Sequence, residues 1–257
     1  MSIAATITNL WRWPVKGLGG ESLDRVDVRE GGLFPFDRAF AIEHGDSCFD
    51  PDAPEHVPKA RFICMVNQPT TGRMTARYDE SSGHILISAL DGRTLTVDPT
   101  DPTALEELAS ELVEGRLRGP LKLCAPSRRD TGHGFTDVPQ NWISIQNQAS
   151  IDKVSEAVGT TLDPRRLRGN MLVEGIPAFE EEDLVGQTLE IGTLHVRVEE
   201  PINRCRAIDV NPDTSKVDQD LMRVLKGLRD KRSLGLYAVV TKAGSVAVGD
   251  EVKTRQP

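Results

Sequence analysis

The stretch TLEIGTLHVRVE, residues 188–199, decides the fold class. Two runs of alternating aliphatic and polar residues flank Gly192-Thr193, which is the pattern of a β-hairpin. The same pattern recurs twice, with residues 84–88 and 94–97 around Asp91-Gly92, and residues 236–241 and 245–248 around residues 242–244. Many short strands at hairpin spacing predict one or two β-barrels or sandwiches, so we expect a mainly β (α+β) protein.

Three helices interrupt the predicted strands, at residues 102–117, 150–158 and 215–230. Their apolar residues recur at helical spacing, which indicates core packing. Ser150 is a candidate N-cap and Gly159 a candidate C-terminal cap of the second helix. Residues 125–139 are polar and rich in glycine and proline, which predicts a boundary between domains 1–125 and 126–257.

Composition limits the classes of partner and compartment. The chain has 257 residues, of which 38% are hydrophobic and 27% charged, as is ordinary for a globular protein. Its net charge of −8 disfavours nucleic acid as a partner. Residues 1–10 lack the basic segment and apolar core of a signal peptide, and no long uncharged apolar run exists. We therefore expect a cytoplasmic protein that does not enter a membrane.

Cys205 is the candidate reactive residue. It lies between Arg204 and Arg206 in PINRCRA, residues 201–207, just after a strand-like run. A thiol flanked by cations should carry thiolate character, and thiolate attacks electrophiles and ligates soft metals. The alternative is a small buried hydrophobic residue, because free cysteine is often buried. Core positions are expected for the other three cysteines, which lie far apart with no C-x-x-C spacing: Cys48, Cys64 and Cys124.

Positive charge is concentrated in three places on this acidic chain. The groups are Arg128 with Arg129, Arg165 with Arg166 and Arg168, and Arg204 with Arg206. If the fold brings them together, they form an anion pocket, because guanidinium groups bind phosphate bidentately. The alternative is three solvated surface patches, each contributing little to stability.

A series of short motifs follows in order along nearly the whole chain. They are WPVKG (13–17), GGLFPFDR (31–38), RLRGN (166–170), FEEED (179–183), LEIG (189–192), RC (204–205), NPDT (211–214) and VGD (248–250). The first two resemble the N-terminal β-barrel module of MOSC proteins, which are relatives of the molybdenum cofactor sulfurase C-terminal domain. The later motifs resemble the MOSC domain itself. The resemblance implies a β-barrel module followed by a β-rich MOSC barrel domain with a few helices.

The resemblance also implies a molybdenum cofactor of the molybdopterin type, held between two β-rich modules. In that family the cysteine that matches Cys205 binds molybdenum. By position, the residues expected to contact the cofactor are Lys16, Arg38, Asn147, Ser150, Arg166, Arg168, Asn170 and Arg204. Asp209 is a candidate for local proton handling, with a solvated loop carboxylate as the alternative.

Several functions are consistent with the resemblance. The amidoxime-reducing members take electrons from a partner and reduce N-hydroxylated compounds. This chain ends at Pro257 directly after the final predicted strand, so we expect its electron donor to be a separate flavin or iron–sulfur protein. Two alternatives remain open. The protein could carry sulfur as a Cys205 persulfide, or it could be a carrier of the molybdenum cofactor.

Two positions depart from the family pattern. Gly17 stands where serine is frequent, and Gly169 stands where proline is frequent. The first removes one hydroxyl contact, and the second predicts a looser loop before Asn170.

Overall fold

The protein is mainly β in a computed structural model that describes residues 4–45, 48–101, 103, 105, 119, 121–128 and 132–255. Two α-helices and fifteen strands are assigned within those ranges. The strands are β1 (Ala5–Arg12), β2 (Glu21–Leu23), β3 (Arg25–Val28), β4 (Ala41–His44), β5 (Thr75–Tyr78), β6 (Ile85–Ser88), β7 (Thr94–Val97), β8 (Leu121–Cys124), β9 (Ile143–Asn147), β10 (Met171–Glu174), β11 (Thr188–Ile191), β12 (Leu194–Asn203), β13 (Ser233–Lys242), β14 (Gly244–Ala247) and β15 (Glu251–Thr254). The predicted fold class is confirmed.

Seven strands close into a barrel in the order β1-β10-β9-β13-β12-β11-β15. The first strand completes the ring, because β1 pairs antiparallel with both β10 and β15. Side chains alternate across each strand, and in β12 the inward set Leu194, Val196 and Val198 is buried in the barrel core. The hairpin predicted from residues 188–199 is present, with Ile191 opposite Leu194.

The rest of the first half forms a second, smaller β assembly with its own core. Strands β5, β6 and β7 make an antiparallel sheet, and β4 pairs with β8. Ile42, Ile85 and Ile87 are fully buried between these elements. Strand β1 belongs to the barrel, and Val26, Val28 and Phe34 also pack into the barrel core. The N-terminal half of the chain therefore contributes to both assemblies. The domain boundary between residues 125 and 126 stays a prediction.

The hairpin predicted over residues 236–248 is wrong. Strand β14 pairs with β3, with Val246 opposite Val26. Gly244 passes directly over the β11–β12 turn, where a Cβ would lie 2.4 Å from the Thr193 carbonyl oxygen. Ser245 then exchanges hydrogen bonds with Thr193. These contacts direct the chain away from β13 after a single residue.

The helices begin at residues other than those predicted. Helix α1 spans Gln148–Val158 and is capped by Asn147, while Gly159 ends it in the left-handed conformation as predicted. Helix α2 spans Leu221–Arg229, six residues shorter at its start than predicted. Ser215 is held outside it by a hydrogen bond from its Oγ to the Thr70 carbonyl. The helix predicted at residues 102–117 lies outside the described residues except for Leu105, which is buried.

Short 3₁₀ turns connect the strands, at Lys59–Arg61, Pro69–Arg73, Pro164–Leu167, Glu180–Leu184 and Arg206–Asp209. Within the ranges described, no helix combines the length and apolar content that a bilayer crossing requires.

Candidate functional site

A cleft of about 270 Å³ opens between the barrel and the N-terminal assembly. Both halves of the chain line it. Seven residues singled out in the sequence contribute to its walls: Lys16, Arg38, Arg166, Arg168, Asn170, Arg204 and Cys205. The fold therefore gathers residues nearly 190 positions apart into one concave surface, where ligand sites are usually found.

Cys205 follows Arg204 after the end of β12 at Asn203 and directly precedes the 3₁₀ turn Arg206–Asp209. Its thiol is half-buried, and its carbonyl accepts a hydrogen bond from Ile208 at 3.2 Å. The two flanking arginines have different surroundings. Arg204 lines the cleft, whereas the Arg206 side chain is 79% exposed. Of the two arginines that flank Cys205, only Arg204 therefore places a charge in the cleft.

The Arg204 guanidinium is held by two backbone carbonyls. Nε donates to Leu234 at 2.6 Å and Nη1 to Leu167 at 2.8 Å. Nη2 is buried and has no hydrogen-bond partner among the described residues. Burial lowers the pKa of Arg204 to about 10, against the opposing effects of Tyr237 and Cys205. The guanidinium is thus rigidly placed at the cleft by its two carbonyl partners.

Arg38 and Arg168, from opposite halves of the chain, lie together in the cleft. Arg38 Nη2 donates to the Arg168 carbonyl at 2.7 Å. The Arg168 guanidinium lies 4.6 Å from the Trp13 ring centroid and donates through Nη1 to the Leu18 carbonyl. Burial and the Arg38 charge lower the pKa of Arg168 to about 9. A bound anion would relieve both effects, because an opposite charge favours the protonated form.

Lys16 and Lys59 share one carboxylate at the cleft. Asp137 accepts from Lys16 Nζ at 2.8 Å and from Lys59 Nζ at 3.4 Å. Burial would raise the pKa of Asp137, but the two lysines lower it well below its usual range. Lys16 also donates to the carbonyl oxygens of Phe135 and Thr136, at 2.9 and 3.4 Å. Lys16 therefore fastens residues 135–137 against the cleft.

Sequence reasoning missed Lys59 and Asp137. Lys59 follows a proline-containing loop with no motif spacing, and Asp137 lies in the segment interpreted as a domain boundary. No periodic or motif signal marks either residue, because their meeting depends on how the two halves pack.

Arg166 and Asn170 line the cleft but mainly support its walls. Arg166 donates to the Asp209 carbonyl at 3.2 Å and pairs with Asp218 at 2.7 Å, so it holds the turn after Cys205. Its Nε is buried without a partner in the described part of the chain. Asn170 Oδ1 accepts hydrogen bonds from the backbone and the hydroxyl of Ser144.

Three predicted site residues lie outside the cleft lining. Asn147 Nδ2 donates to buried Glu181 at 2.9 Å, and Ser150 Oγ donates to the same carboxylate at 2.7 Å. These bonds fix the start of α1. Asp209 is 1% exposed and accepts from the Leu221 backbone at 2.8 Å, and burial raises its pKa. It is therefore neither in the cleft nor solvated, but anchors the start of α2.

Steric contacts explain both departures from the family pattern. Gly17 has a φ of +84°, and a Cβ there would lie 2.5 Å from the Ile63 carbonyl oxygen. A Cβ at Gly169 would lie 2.3 Å from Gln146 Nε2. The Gly169 carbonyl also accepts a hydrogen bond from the Trp13 indole at 3.0 Å. The loop before Asn170 is thus closely packed and anchored at this point.

An aromatic pair and a second thiol complete the cleft. Trp142 and Tyr237 have ring centroids 5.5 Å apart, and burial raises the pKa of Tyr237. Cys64, which the sequence predicted to be a core residue, is buried and also lines the cleft. It is followed by Met65 and by Val66, which is 51% exposed.

The side chains of the cleft suit a metal cofactor whose own atoms provide most of the metal ligands. No cluster of three or more histidine, cysteine or acidic side chains suited to a metal ion occurs within the described ranges. One thiol and two half-buried arginines, Arg168 and Arg204, which have no carboxylate partner among the described residues, instead match an anionic cofactor with a soft metal.

Of the remaining arginines named from the sequence, Arg165 and Arg128 do not join the site. Arg165 pairs with Asp163 and with Asp213 on the outer surface. Arg128 is exposed and is not part of the cleft lining, and Arg129 lies outside the described residues.

Comparison with known proteins gives matches over both halves of the chain. The family model described as MOSC N-terminal beta barrel domain matches residues 4–121, and the model described as MOSC domain matches residues 132–253. A protein named molybdenum cofactor sulfurase from Caenorhabditis elegans is 24% identical over 92% of this chain and 33% of its own length. Its counterpart in Caenorhabditis briggsae is 24% identical over 92% and 34%. The chain thus spans about a third of the length of these relatives.

Among solved structures, the YuaD protein of Bacillus subtilis matches 100% of this chain and 99% of its own, at 15% identity and a TM-score of 0.47.

Proposed function

We propose that this member of the MOSC family is an oxidoreductase that binds the molybdenum cofactor and reduces N-hydroxylated compounds. The chain has a MOSC N-terminal β-barrel domain followed by a MOSC domain. It is related to proteins of molybdenum cofactor metabolism. Its electrons would come from a separate flavin or iron–sulfur protein. The observation that carries the proposal is that the Cys205 thiol shares one cleft with two half-buried arginines, Arg168 and Arg204, which have no carboxylate partner among the described residues.

Each group has a role that follows from its contacts. Cys205 is the metal ligand, because thiolate is the soft donor of the set. Arg168 and Arg204 bind the phosphate of the cofactor, since their guanidinium groups are already fixed by carbonyls and lose little freedom on binding. Arg166 and Asn170 position the walls. When bound, the cofactor supplies two-electron oxygen-atom chemistry.

The cleft supports this chemistry in two further ways. Trp142 and Tyr237 give it an apolar wall against which a flat substrate can pack. Lys16 keeps residues 135–137 in place at the wall of the cleft.

Turnover tests the proposal. Protein expressed in a host that makes molybdopterin is incubated with reduced methyl viologen and benzamidoxime. We expect benzamidine to form with the wild type and with Cys48→Ser, whose thiol is exposed and outside the cleft lining. Cys205→Ser should form none. Fully loaded protein that turns over neither benzamidoxime nor hydroxylaminopurine contradicts the reductase assignment.

Sulfur transfer is the second candidate, favoured by the second thiol, Cys64, in the same cleft and by the name of the two relatives. In that role the Cys205 thiolate attacks the outer sulfur of a donor persulfide. Cys205 then carries the persulfide, and the donor leaves as a thiol. Mass spectrometry after incubation with a low-molecular-weight persulfide distinguishes the two functions. A stable one-sulfur adduct on Cys205, with no molybdenum retained, supports transfer. Bound molybdenum without turnover or adduct supports cofactor carriage.

A further inference from the structure

The Lys16–Asp137–Lys59 bridge is asymmetric. The Lys16 side chain is 7% exposed and keeps two carbonyl acceptors besides Asp137. The Lys59 side chain is 38% exposed, and its contact with Asp137 is the longer one at 3.4 Å. Lys59 is therefore the cation of the pair that a ligand entering the cleft can reach and recruit.

Lys59 also lies beside Cys205. Lys59, Asp137 and Cys205 all line the same cleft. The half-exposed Lys59 ammonium and the Cys205 thiol therefore belong to one site.

Asp137 is the anion that Lys59 contacts within the chain. Its carboxylate is 47% exposed and bridges two cations that come from the other half of the chain. A carboxylate or phosphate on a ligand would meet the same ammonium donor and compete with Asp137 for it. The lost Asp137–Lys59 contact is long and half-exposed, so its exchange costs little.

We propose that Lys59 binds a negatively charged group of the substrate, with Asp137 as its built-in competitor, so that the cleft prefers anionic over neutral N-hydroxylated compounds. The reference to N-hydroxylated compounds rests on the proposed function, whereas the preference for an anion rests on the bridge. The apolar side chains of Met65, Val66 and Val138 line the same cleft and suit the uncharged body of such a substrate.

Calorimetric titration of the molybdenum-loaded protein tests the proposal with two matched probes. Benzamidoxime is neutral, and 4-carboxybenzamidoxime carries one negative charge. We expect Lys59→Gln to weaken binding of the carboxylate probe about three- to tenfold, and Lys59→Arg to retain most of it. Asp137→Asn should tighten binding of the same probe about two- to fivefold. The affinity for the neutral probe should change by less than about twofold in every variant.

The surface pair Lys226 and Asp230, whose charged atoms lie 2.5 Å apart, provides matched controls. Neither residue lines the cleft, so Lys226→Gln and Asp230→Asn should leave both affinities unchanged. Thermal unfolding monitors folding of each variant. If Asp137→Asn unfolds because Lys16 loses its partner, the comparison of Lys59→Gln with Lys59→Arg still decides the question.

Two results overturn the proposal: equal losses for the neutral and anionic probes in Lys59→Gln, or no measurable binding of the carboxylate probe to the wild type. Turnover with reduced viologen, measured in parallel, separates this failure from that of the proposed function. Reduction of both probes without a charge preference rejects the role of Lys59 and leaves the reductase intact. A charge preference in binding without any reduction rejects the reductase and leaves the anion site intact.

Discussion

Arg168 and Arg204 make most of their hydrogen bonds with backbone carbonyls. Carbonyl oxygens orient a guanidinium but do not neutralise it, so burial lowers the pKa of both residues. Such cations are pre-organised for an anion, because their side-chain entropy is already lost in the free protein. At the scale of single residues, this arrangement distinguishes the cleft from the exposed arginine pairs elsewhere on the surface.

Arg168→Gln should weaken retention of the cofactor by about 1.5–3 kcal/mol, because it removes a charge-assisted contact from a half-buried guanidinium. The measurement is the molybdenum-to-protein ratio after dialysis, compared with Arg165→Gln. Arg165 has its own partners, Asp163 and Asp213, and is not part of the cleft lining. Equal retention in the two variants would remove Arg168 from the binding role.

Gly17→Ala should destabilise the protein more than Gly31→Ala. Both glycines have positive φ, of 84° and 66°, so both variants meet backbone strain of about 1 kcal/mol. At Gly17 the new Cβ would also lie 2.5 Å from the Ile63 carbonyl oxygen, whereas at Gly31 nothing lies within 4 Å. Chemical denaturation should therefore show an extra loss of about 1–3 kcal/mol for Gly17→Ala. Equal losses would mean that the backbone at Ile63 shifts to make room for the new methyl group without lowering the free energy of unfolding.

Sequence reasoning reached the thiol and the arginines but missed the two residues that bridge the cleft. Cys205 and Arg204 are adjacent in sequence, so their shared setting is legible there. Lys59 and Asp137 are 78 residues apart and form one side of the site only through packing. Asn147 and Ser150 are expected at the site because they match a family segment. Their side chains instead donate hydrogen bonds to buried Glu181, outside the cleft.

At the scale of elements, the 3₁₀ turn Glu180–Leu184 connects the end of α2 to the start of β13. Glu182 accepts hydrogen bonds from Arg229 at 2.8 Å, Lys231 at 2.9 Å and Ser233 at 2.8 Å. The Arg229 guanidinium also lies 4.3 Å from the Phe179 ring centroid. The Glu182 carboxylate thus holds the 3₁₀ turn, the end of α2 and the start of β13 together.

The pKa of Glu182 predicts how this junction responds to acid. Burial would raise that pKa, but the donors from Arg229, Lys231 and Ser233 lower it from 4.5 to about 2. A carboxylate with a lowered folded-state pKa stabilises the fold fully above its unfolded-state value and loses that effect as pH falls towards the folded-state value. The contribution should therefore be complete at neutral pH and fade between about pH 4.5 and 2.

Glu182→Gln should lower the free energy of unfolding by about 1–3 kcal/mol at pH 7, and the difference from wild type should shrink as the pH falls below 4.5. Urea denaturation over a pH series measures it. Glu156→Gln, in an exposed helical pair with Lys153, is the control and should cost less than about 0.5 kcal/mol. A Glu182→Gln deficit that persists unchanged at pH 2 would assign the effect to packing.

Local patterns predicted elements that depend on local contacts and failed where tertiary contacts intervene. The β11–β12 hairpin follows from its own alternation and turn. Strand β14 has the same appearance in sequence, yet Thr193 and β3 supply its partners. Helix α2 begins late because Ser215 contacts Thr70 in the other half of the chain. These contacts join segments that are far apart in sequence, whereas hydrophobic periodicity is read over a short window of neighbouring residues.

At the scale of the whole molecule, the charge distribution favours one kind of ligand. The chain carries a net charge of −8, yet the cleft is lined by six cationic side chains and two acidic ones. A cationic concavity on an acidic protein concentrates small anions at one place and repels large polyanions elsewhere. Strand β1 closes the barrel, and Lys16 and Arg38 lie after β1 in the N-terminal assembly. Both halves of the chain must therefore be folded before the cleft can form.

The most direct test of this account is the molybdenum content of Cys205→Ser, purified from a host that makes molybdopterin. Serine is nearly isosteric with cysteine but is a poor ligand for a soft metal. We expect about one molybdenum per chain in the wild type and in Cys48→Ser, and almost none in Cys205→Ser, which should unfold cooperatively at the temperature of the cofactor-free wild type. Stoichiometric molybdenum retained by a folded Cys205→Ser protein would contradict the assignment of Cys205 as the metal ligand.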